Sequence, residues 1–235
     1  MALVRPWCAN MRGAVLMSGR NVQTLENVRT ESGFPQRCHT MSADVTDSSE
    51  LRQVLEDTEQ RFGAIDVAVL NAGTYEASGI DNFNAAAMRK LFAINVFAVA
   101  ETIEILLPSW RKRRSGTFVL VGSVAGDFGL PYAASYSASK AALSRLAESL
   151  YPELLRDGIA LHLVSPGFVD TPLTAKNDFP MPFMVSAERA AYEICRGVDK
   201  RKFEIRFPWR MSVAMRILRA LPYPLQFSLA RRMLK

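Results

Sequence analysis

Residues 65–73 read "IDVAVLNAG". The run is apolar almost without a break, and it stops at a polar residue, a small one and a glycine. A strand covered on one face alternates apolar and polar residues, whereas a strand buried on both faces does not. The stretch therefore predicts an interior strand of a parallel sheet, with Asn71, Ala72 and Gly73 in the turn at its carboxyl end. The pattern recurs in both directions. "AVLMS" (14–18) runs into "GRN", a short strand around 37–41 leads to "ADVTD" (43–47), "GTFVLVGS" (116–123) runs into "VAGDFG", and "IALHLVSPG" (159–167) into "FVDT". Helical stretches around 21–32, 48–62, 84–112 and 136–155 lie between them. This alternation indicates an α/β, Rossmann-like doubly wound parallel sheet with helices on both faces. In such sheets ligands collect at the carboxyl ends of the strands, where these polar and glycine-rich clusters fall.

At 235 residues, 49% hydrophobic and 22% charged, the chain suits one sizeable domain. No apolar run reaches the roughly 18–20 residues of a bilayer span, and Arg5 and Pro6 interrupt any secretory signal. Cys8, Cys38 and Cys195 are far apart and fit no disulfide or metal pattern, which points to a reducing, cytoplasmic setting. The net charge of +6 is uneven, with +9 from Arg196 onward and −3 before it. Nucleic-acid binding by the body is therefore not expected. His39 and His162 lie in strand-like runs beside no nucleophile and read as structural, so no metal site is expected.

In "YSASK", Tyr136 and Lys140 stand four residues apart on a helix and so share a face. An ammonium beside a phenol favours phenolate and lowers its pKa, which would let Tyr136 exchange a proton with a substrate oxygen. Ser123 ends a strand thirteen positions earlier, and Asn95 lies inside the preceding long helix.

With "NAG" and with "PGFVDT" thirty residues after Tyr136, this set resembles the short-chain dehydrogenase/reductase family in its typical branch, closely over about 14–175. The resemblance implies an oxidoreductase that passes a hydride between a nicotinamide cofactor and a carbonyl/alcohol substrate. It implies Tyr136 as general acid/base, and Lys140 as the group that lowers its pKa and holds the nicotinamide ribose. Ser123 would hold the substrate oxygen, and Asn95 would distort its helix to hold a water linking Lys140 to solvent. Asp44 and Val45 would flank the adenine, and Asn71, Ala72 and Gly73 would support its ribose. Pro166, Gly167, Val169 and Thr171 would border the carboxamide. NAD-using members usually carry an Asp where Arg20 and Asn21 stand, and a guanidinium suits a 2′-phosphate, so NADP(H) is expected over NAD(H). A homodimer or homotetramer is expected from the resemblance as well.

The resemblance also implies a first strand, a TGxxxGxG turn and a helix ahead of "SGRN", and the sequence contains no such turn. "ALVRPWCANMRGA" resembles the latter half of that helix. Residues 1–208 are thus expected to form one domain that is incomplete at its N-terminus. Lacking the backbone donors that such a turn gives to a pyrophosphate, the chain is expected to bind cofactor weakly, and a catalytically silent scaffold is the alternative to an enzyme. Residues 209–235 read as a basic amphipathic tail. Met211, Ala214, Met215 and Leu218 share one face and Ser212, Arg216 and Arg219 another, which suits either a membrane surface or packing on the body. The segment 171–186 is short and rich in Pro, Phe and Met, and hints at an apolar substrate.

Overall fold

The computed structural model describes residues 13–177 and 179–234. The apolar runs form β1 (Val15–Gly19), β2 (Cys38–Ser42), β3 (Val67–Leu70), β4 (Thr117–Val121) and β5 (Ala160–Pro166). Between them run α1 (Val22–Glu31), α2 (Ser48–Phe62), α3 (Ala85–Arg113) and α4 (Ala134–Arg156). Asn21 and Asp47 accept from backbone amides in the first turns of α1 and α2, which fixes where those helices start. Beyond β5 come α5 (Ala187–Asp199), β6 (Glu204–Phe207), α6 (Trp209–Ala220) and α7 (Tyr223–Arg231).

Strands β3, β4, β5 and β6 form one parallel sheet in that order. β1 and β2 form a separate parallel pair, from Val15 opposite Cys38 to Gly19 opposite Ser42. Among the described residues no strand joins β1 to β3. The pair is tied to the main body where α2 packs along α3 and the Ser48 hydroxyl donates to Glu101 Oε2 at 2.9 Å. The helix remnant expected before β1 falls largely outside the described residues.

The main sheet is covered on both faces, which is why β3 and β4 read as nearly unbroken apolar runs. On one face, Phe118, Leu120, Leu161 and Leu163 pack against Val99, Ile103, Leu106 and Trp110 of α3 and Leu143 and Ala147 of α4. On the other, Val119, Val164, Ile205 and Phe207 meet Ala190 and Ile194 of α5. By length and composition α3 could cross a membrane; its side chains Val99, Ile103, Leu106 and Trp110 are part of this core. α6 also packs on the body, with Met211 and Met215 set against Val124 and Phe128. Ala214, grouped with them by helical spacing, is exposed, and Ser212 is buried, its hydroxyl donating to the Pro208 carbonyl at 3.0 Å.

Candidate active site

The carboxyl ends of β3 and β4 face the start of α4, and the loops between them are pinned at several points. Ser78, in the loop after β3, is buried; its hydroxyl accepts from the Ser135 amide at 2.9 Å, and its backbone amide donates to the Tyr132 carbonyl at 2.8 Å. These bonds fix the first turn of α4, which carries Tyr136. From the other side the loop after Ser123 presses directly onto α4. A Cβ added to Gly126 would stand 2.8 Å from the carbonyl carbon and oxygen of Lys140, so only glycine allows this approach.

Within this frame Ser123, Tyr136 and Lys140 come together. The hydroxyls of Ser123 and Tyr136 share a hydrogen bond, and Ser123 Oγ also accepts from the Ala125 amide at 3.1 Å. Lys140 Nζ is buried, donates to the Val121 carbonyl at 2.8 Å, and lies 5.8 Å from the centroid of the Tyr136 ring. Burial without a carboxylate partner brings its pKa down from 10.5 to about 8. At neutral pH it is still a cation.

Asn95 is fully buried in a π-helical turn, Ala93–Phe97, that interrupts α3. Its Oδ1 accepts from the Thr74 amide at 2.8 Å, and its Nδ2 donates to the Thr74 carbonyl at 3.0 Å and to Ser139 Oγ at 3.1 Å. One side chain thus binds the segment after "NAG" to the helix of Tyr136 and Lys140. A Cβ on Gly73 would lie 3.5 Å from Asn95 Oδ1 and 3.6 Å from Lys140 Nζ, so the backbone after β3 runs directly beside the ammonium.

One expectation is reversed. The spacing of Tyr136 and Lys140 implies a phenol with a lowered pKa, yet Tyr136 is raised above the ordinary tyrosine value. Burial is the dominant cause; the bond to Ser123 works against it, and the neighbouring Tyr75 adds to the rise. The Lys140 ammonium is directed at the Val121 carbonyl and does not offset that desolvation. Tyr136 therefore rests as a neutral phenol.

The other expected residues spread along the strand ends. Arg20 is exposed and its Nη1 lies 3.8 Å from Asp44 Oδ2. Asp44 Oδ1 accepts from the Thr46 amide and hydroxyl at 2.9 and 2.7 Å, and these bonds hold its carboxyl below the ordinary range. Asn21 is occupied as the cap of α1, its Oδ1 accepting from the Thr24 amide at 2.9 Å. Val45 follows Asp44 in the same turn. Asn71 and Ala72 are exposed at the end of β3. After Pro166, the Gly167 amide donates to the Phe207 carbonyl at 2.7 Å, and a Cβ there would stand 3.1 Å from Met211 Cγ. Val169 bridges Val185, which closes the base of the 171–186 segment, and the Thr171 and Thr174 hydroxyls lie 3.2 Å apart. Among the described residues, Arg20, Asn21 and Asp44 at the β1 and β2 ends make no hydrogen bond or ion pair with the Ser123–Tyr136–Lys140 cluster. His39 lies against Phe62, ring centroids 4.4 Å apart and tilted by 31°, and His162 is bonded to the Lys202 carbonyl.

Three features were not readable from the sequence. Tyr75 meets the Tyr136 ring edge-on, with centroids 5.3 Å apart. Ser139 extends the Asn95 network. Arg206 of β6 pairs with Asp127 in the loop after Ser123, and its Nη1 also donates to Glu204 Oε1 at 2.7 Å. This last network anchors the Ser123 loop to the sheet edge.

Comparison with known proteins settles the lineage. The short chain dehydrogenase family matches residues 7–180. This chain belongs to that family. An uncharacterized oxidoreductase of Myxococcus xanthus is 33% identical over 228 residues, covering 97% of this chain and 90% of that protein. A 3-oxoacyl-acyl-carrier-protein reductase FabG of Thermotoga maritima is 30% identical over 168 residues, 70% of this chain and 68% of that protein. A short-chain dehydrogenase from Streptomyces avermitilis superposes with a TM-score of 0.80 at 27% identity, over 91% of this chain and 86% of that one. The fold and the oxidoreductase lineage of this short-chain dehydrogenase follow from these matches.

Proposed function

We propose that this chain interconverts a ketone or aldehyde and its alcohol, using NADP(H). The observation that carries the reading is the cluster of a neutral, buried Tyr136 hydrogen-bonded to Ser123 beside a buried Lys140 cation.

The residues fit the two ends of a nicotinamide cofactor on two observations, while no TGxxxGxG turn stands ahead of β1 to hold its pyrophosphate. Lys140 has three N–H donors, and among the described residues its one hydrogen bond goes to Val121, which leaves donors for ribose hydroxyls. At the end of β1, the Arg20 guanidinium is 73% exposed and weakly held, so it is available to a 2′-phosphate. Asp44, Val45, Asn71, Ala72 and Gly73 would line the adenosine side, and Pro166, Gly167, Val169 and Thr171 the carboxamide side. When bound, the nicotinamide supplies or accepts the hydride.

The chain's own residues handle the oxygen and the proton. The Ser123 hydroxyl donates to the substrate oxygen and steadies the negative charge that builds there. Tyr136, neutral at rest, donates its proton to that oxygen in the reductive direction and takes it back in the oxidative one. The Lys140 cation and the Ser123 hydroxyl stabilise the transient phenolate. Asn95 and Ser139 hold the helix and loop that set these distances. Phe179 of the 171–186 segment packs against Phe168, with ring centroids 6.0 Å apart, an apolar contact suited to an apolar carbonyl compound.

Cofactor choice can be tested at Arg20. Arg20→Asp replaces a phosphate-binding cation with a group that accepts from ribose hydroxyls and repels phosphate. The ratio of kcat/KM for NADPH to that for NADH is expected to fall by about tenfold or more, the worth of one charge-assisted contact. An unchanged ratio would remove Arg20 from the 2′-phosphate site.

A further inference from the structure

The C-terminal helices bury one face and leave a second apolar face outward. On α6, Met211, Ser212 and Met215 are turned to the body. Trp209, Val213 and Ile217, spaced four apart, lie on the opposite side, 70%, 48% and 59% exposed. At 100° per residue, Arg210 and Arg216 project on either side of that stripe; Arg216 Nη2 donates to Glu204 Oε2 at 3.0 Å and its side chain stays 64% exposed. α7 adds a stacked pair, Tyr223 and Phe227, with centroids 5.5 Å apart and both exposed. Gln226, buried between the helices, donates to the Arg219 and Leu221 carbonyls at 3.2 and 2.7 Å and so fixes α7 against the end of α6.

We infer that this outward face of α6 and α7 docks on an anionic lipid surface. Residues 209–235 carry six Lys/Arg and no Asp or Glu. An apolar stripe with an exposed Trp and Tyr, flanked by arginines, matches a membrane interface, where aromatic rings sit at headgroup level and guanidinium groups reach the phosphates. A second copy of the chain fits the face poorly. A two-fold contact would set the same patch against itself, bringing Arg210, Arg231 and Arg232 of the two copies together with no carboxylate side chain of this segment to offset them, while the nearby Glu204 and Asp127 are already engaged by Arg206, Arg216 and Arg219. The arrangement places the protein on the membrane surface without a span, and Met211 and Met215 keep α6 anchored to the enzyme body as it docks.

The test is flotation of the full chain with vesicles of equal parts phosphatidylglycerol and phosphatidylcholine, against phosphatidylcholine alone. Binding to the anionic vesicles is expected at about 50 mM salt and should be largely lost at about 500 mM, as screening shortens the reach of the charges. The triple variant W209S/V213S/I217S should lower the partition coefficient by roughly tenfold or more. The double variant R231Q/R232Q, which removes no apolar contact, should lower it by about thirtyfold. Circular dichroism and melting curves matched to wild type show that the body is intact. Lack of binding to anionic vesicles at low salt, or equal partitioning of wild type and both variants, would overturn the inference. So would concentration-dependent dimerisation in sedimentation velocity that W209S/V213S/I217S abolishes, which would assign the face to a second copy.

Discussion

Tyr136→Phe is expected to lower kcat by roughly 100- to 10,000-fold, the usual contribution of a positioned general acid. Cofactor affinity should hardly change. Phenylalanine keeps the ring, its edge contact with Tyr75 and its place below Lys140; only the proton and the bond to Ser123 are lost. The defect should therefore fall on kcat and kcat/KM alike, the signature of an interaction made in the transition state. Steady-state kinetics in both directions, with cofactor binding measured separately, check this. A Tyr136→Phe protein that keeps most of its turnover would exclude Tyr136 as the proton donor.

Lys140→Met is expected to abolish turnover and, in the cofactor-free protein, to raise stability. The ammonium is buried with a single carbonyl partner, and its pKa falls from 10.5 to about 8. Holding that cation at neutral pH costs folding about 3 kcal/mol. Methionine removes the charge, fills similar space and gives up a hydrogen bond worth about 1 kcal/mol, so a net gain of about 2 kcal/mol is expected. For a chain of this size that is a rise of about 4–8 °C in Tm. The sign of the pH dependence follows from proton counting. Between about pH 8 and 10.5 the unfolded lysine holds a proton that the folded one has released, so wild-type stability rises with pH through that window. Below pH 8 the penalty is present in full. The difference between variant and wild type should be largest at neutral pH and shrink toward pH 10.5. Urea titrations at several pH values measure it, and a destabilised Lys140→Met protein at pH 7 would show that Lys140 also holds the fold together.

Much of this was legible in the sequence because the main sheet is covered twice. A strand with α3 and α4 on one side and α5 on the other must be apolar at every position, and "TFVLV" states that directly. The juxtaposition of Ser123, Tyr136 and Lys140 was legible because Tyr136 and Lys140 share one helix face and Ser123 ends a strand. Longer-range features were not. The four residues of β6 are too short to signal a strand, and its packing depends on Gly197, where a Cβ would stand 2.5 Å from Ile205 Cγ1. The Arg206–Asp127 pair joins residues 79 apart. Sequence alone placed Asn95 inside a helix; only the fold shows that its amide holds both backbone polar groups of Thr74. The direction of the Tyr136 shift was misread because spacing reports the nearby charge and says nothing of burial, which here is the larger effect.

The central claim is that this chain delivers hydride and proton together to a carbonyl carbon and oxygen, with the proton coming from Tyr136. Its most direct test is product stoichiometry. The protein is incubated with NADPH and a set of apolar ketones, the loss of nicotinamide absorbance is followed, and the alcohol is quantified from the same mixture. One alcohol is expected to form for each NADPH consumed. NADPH that binds but transfers no hydride to any ketone, or that is consumed without alcohol appearing, would contradict it.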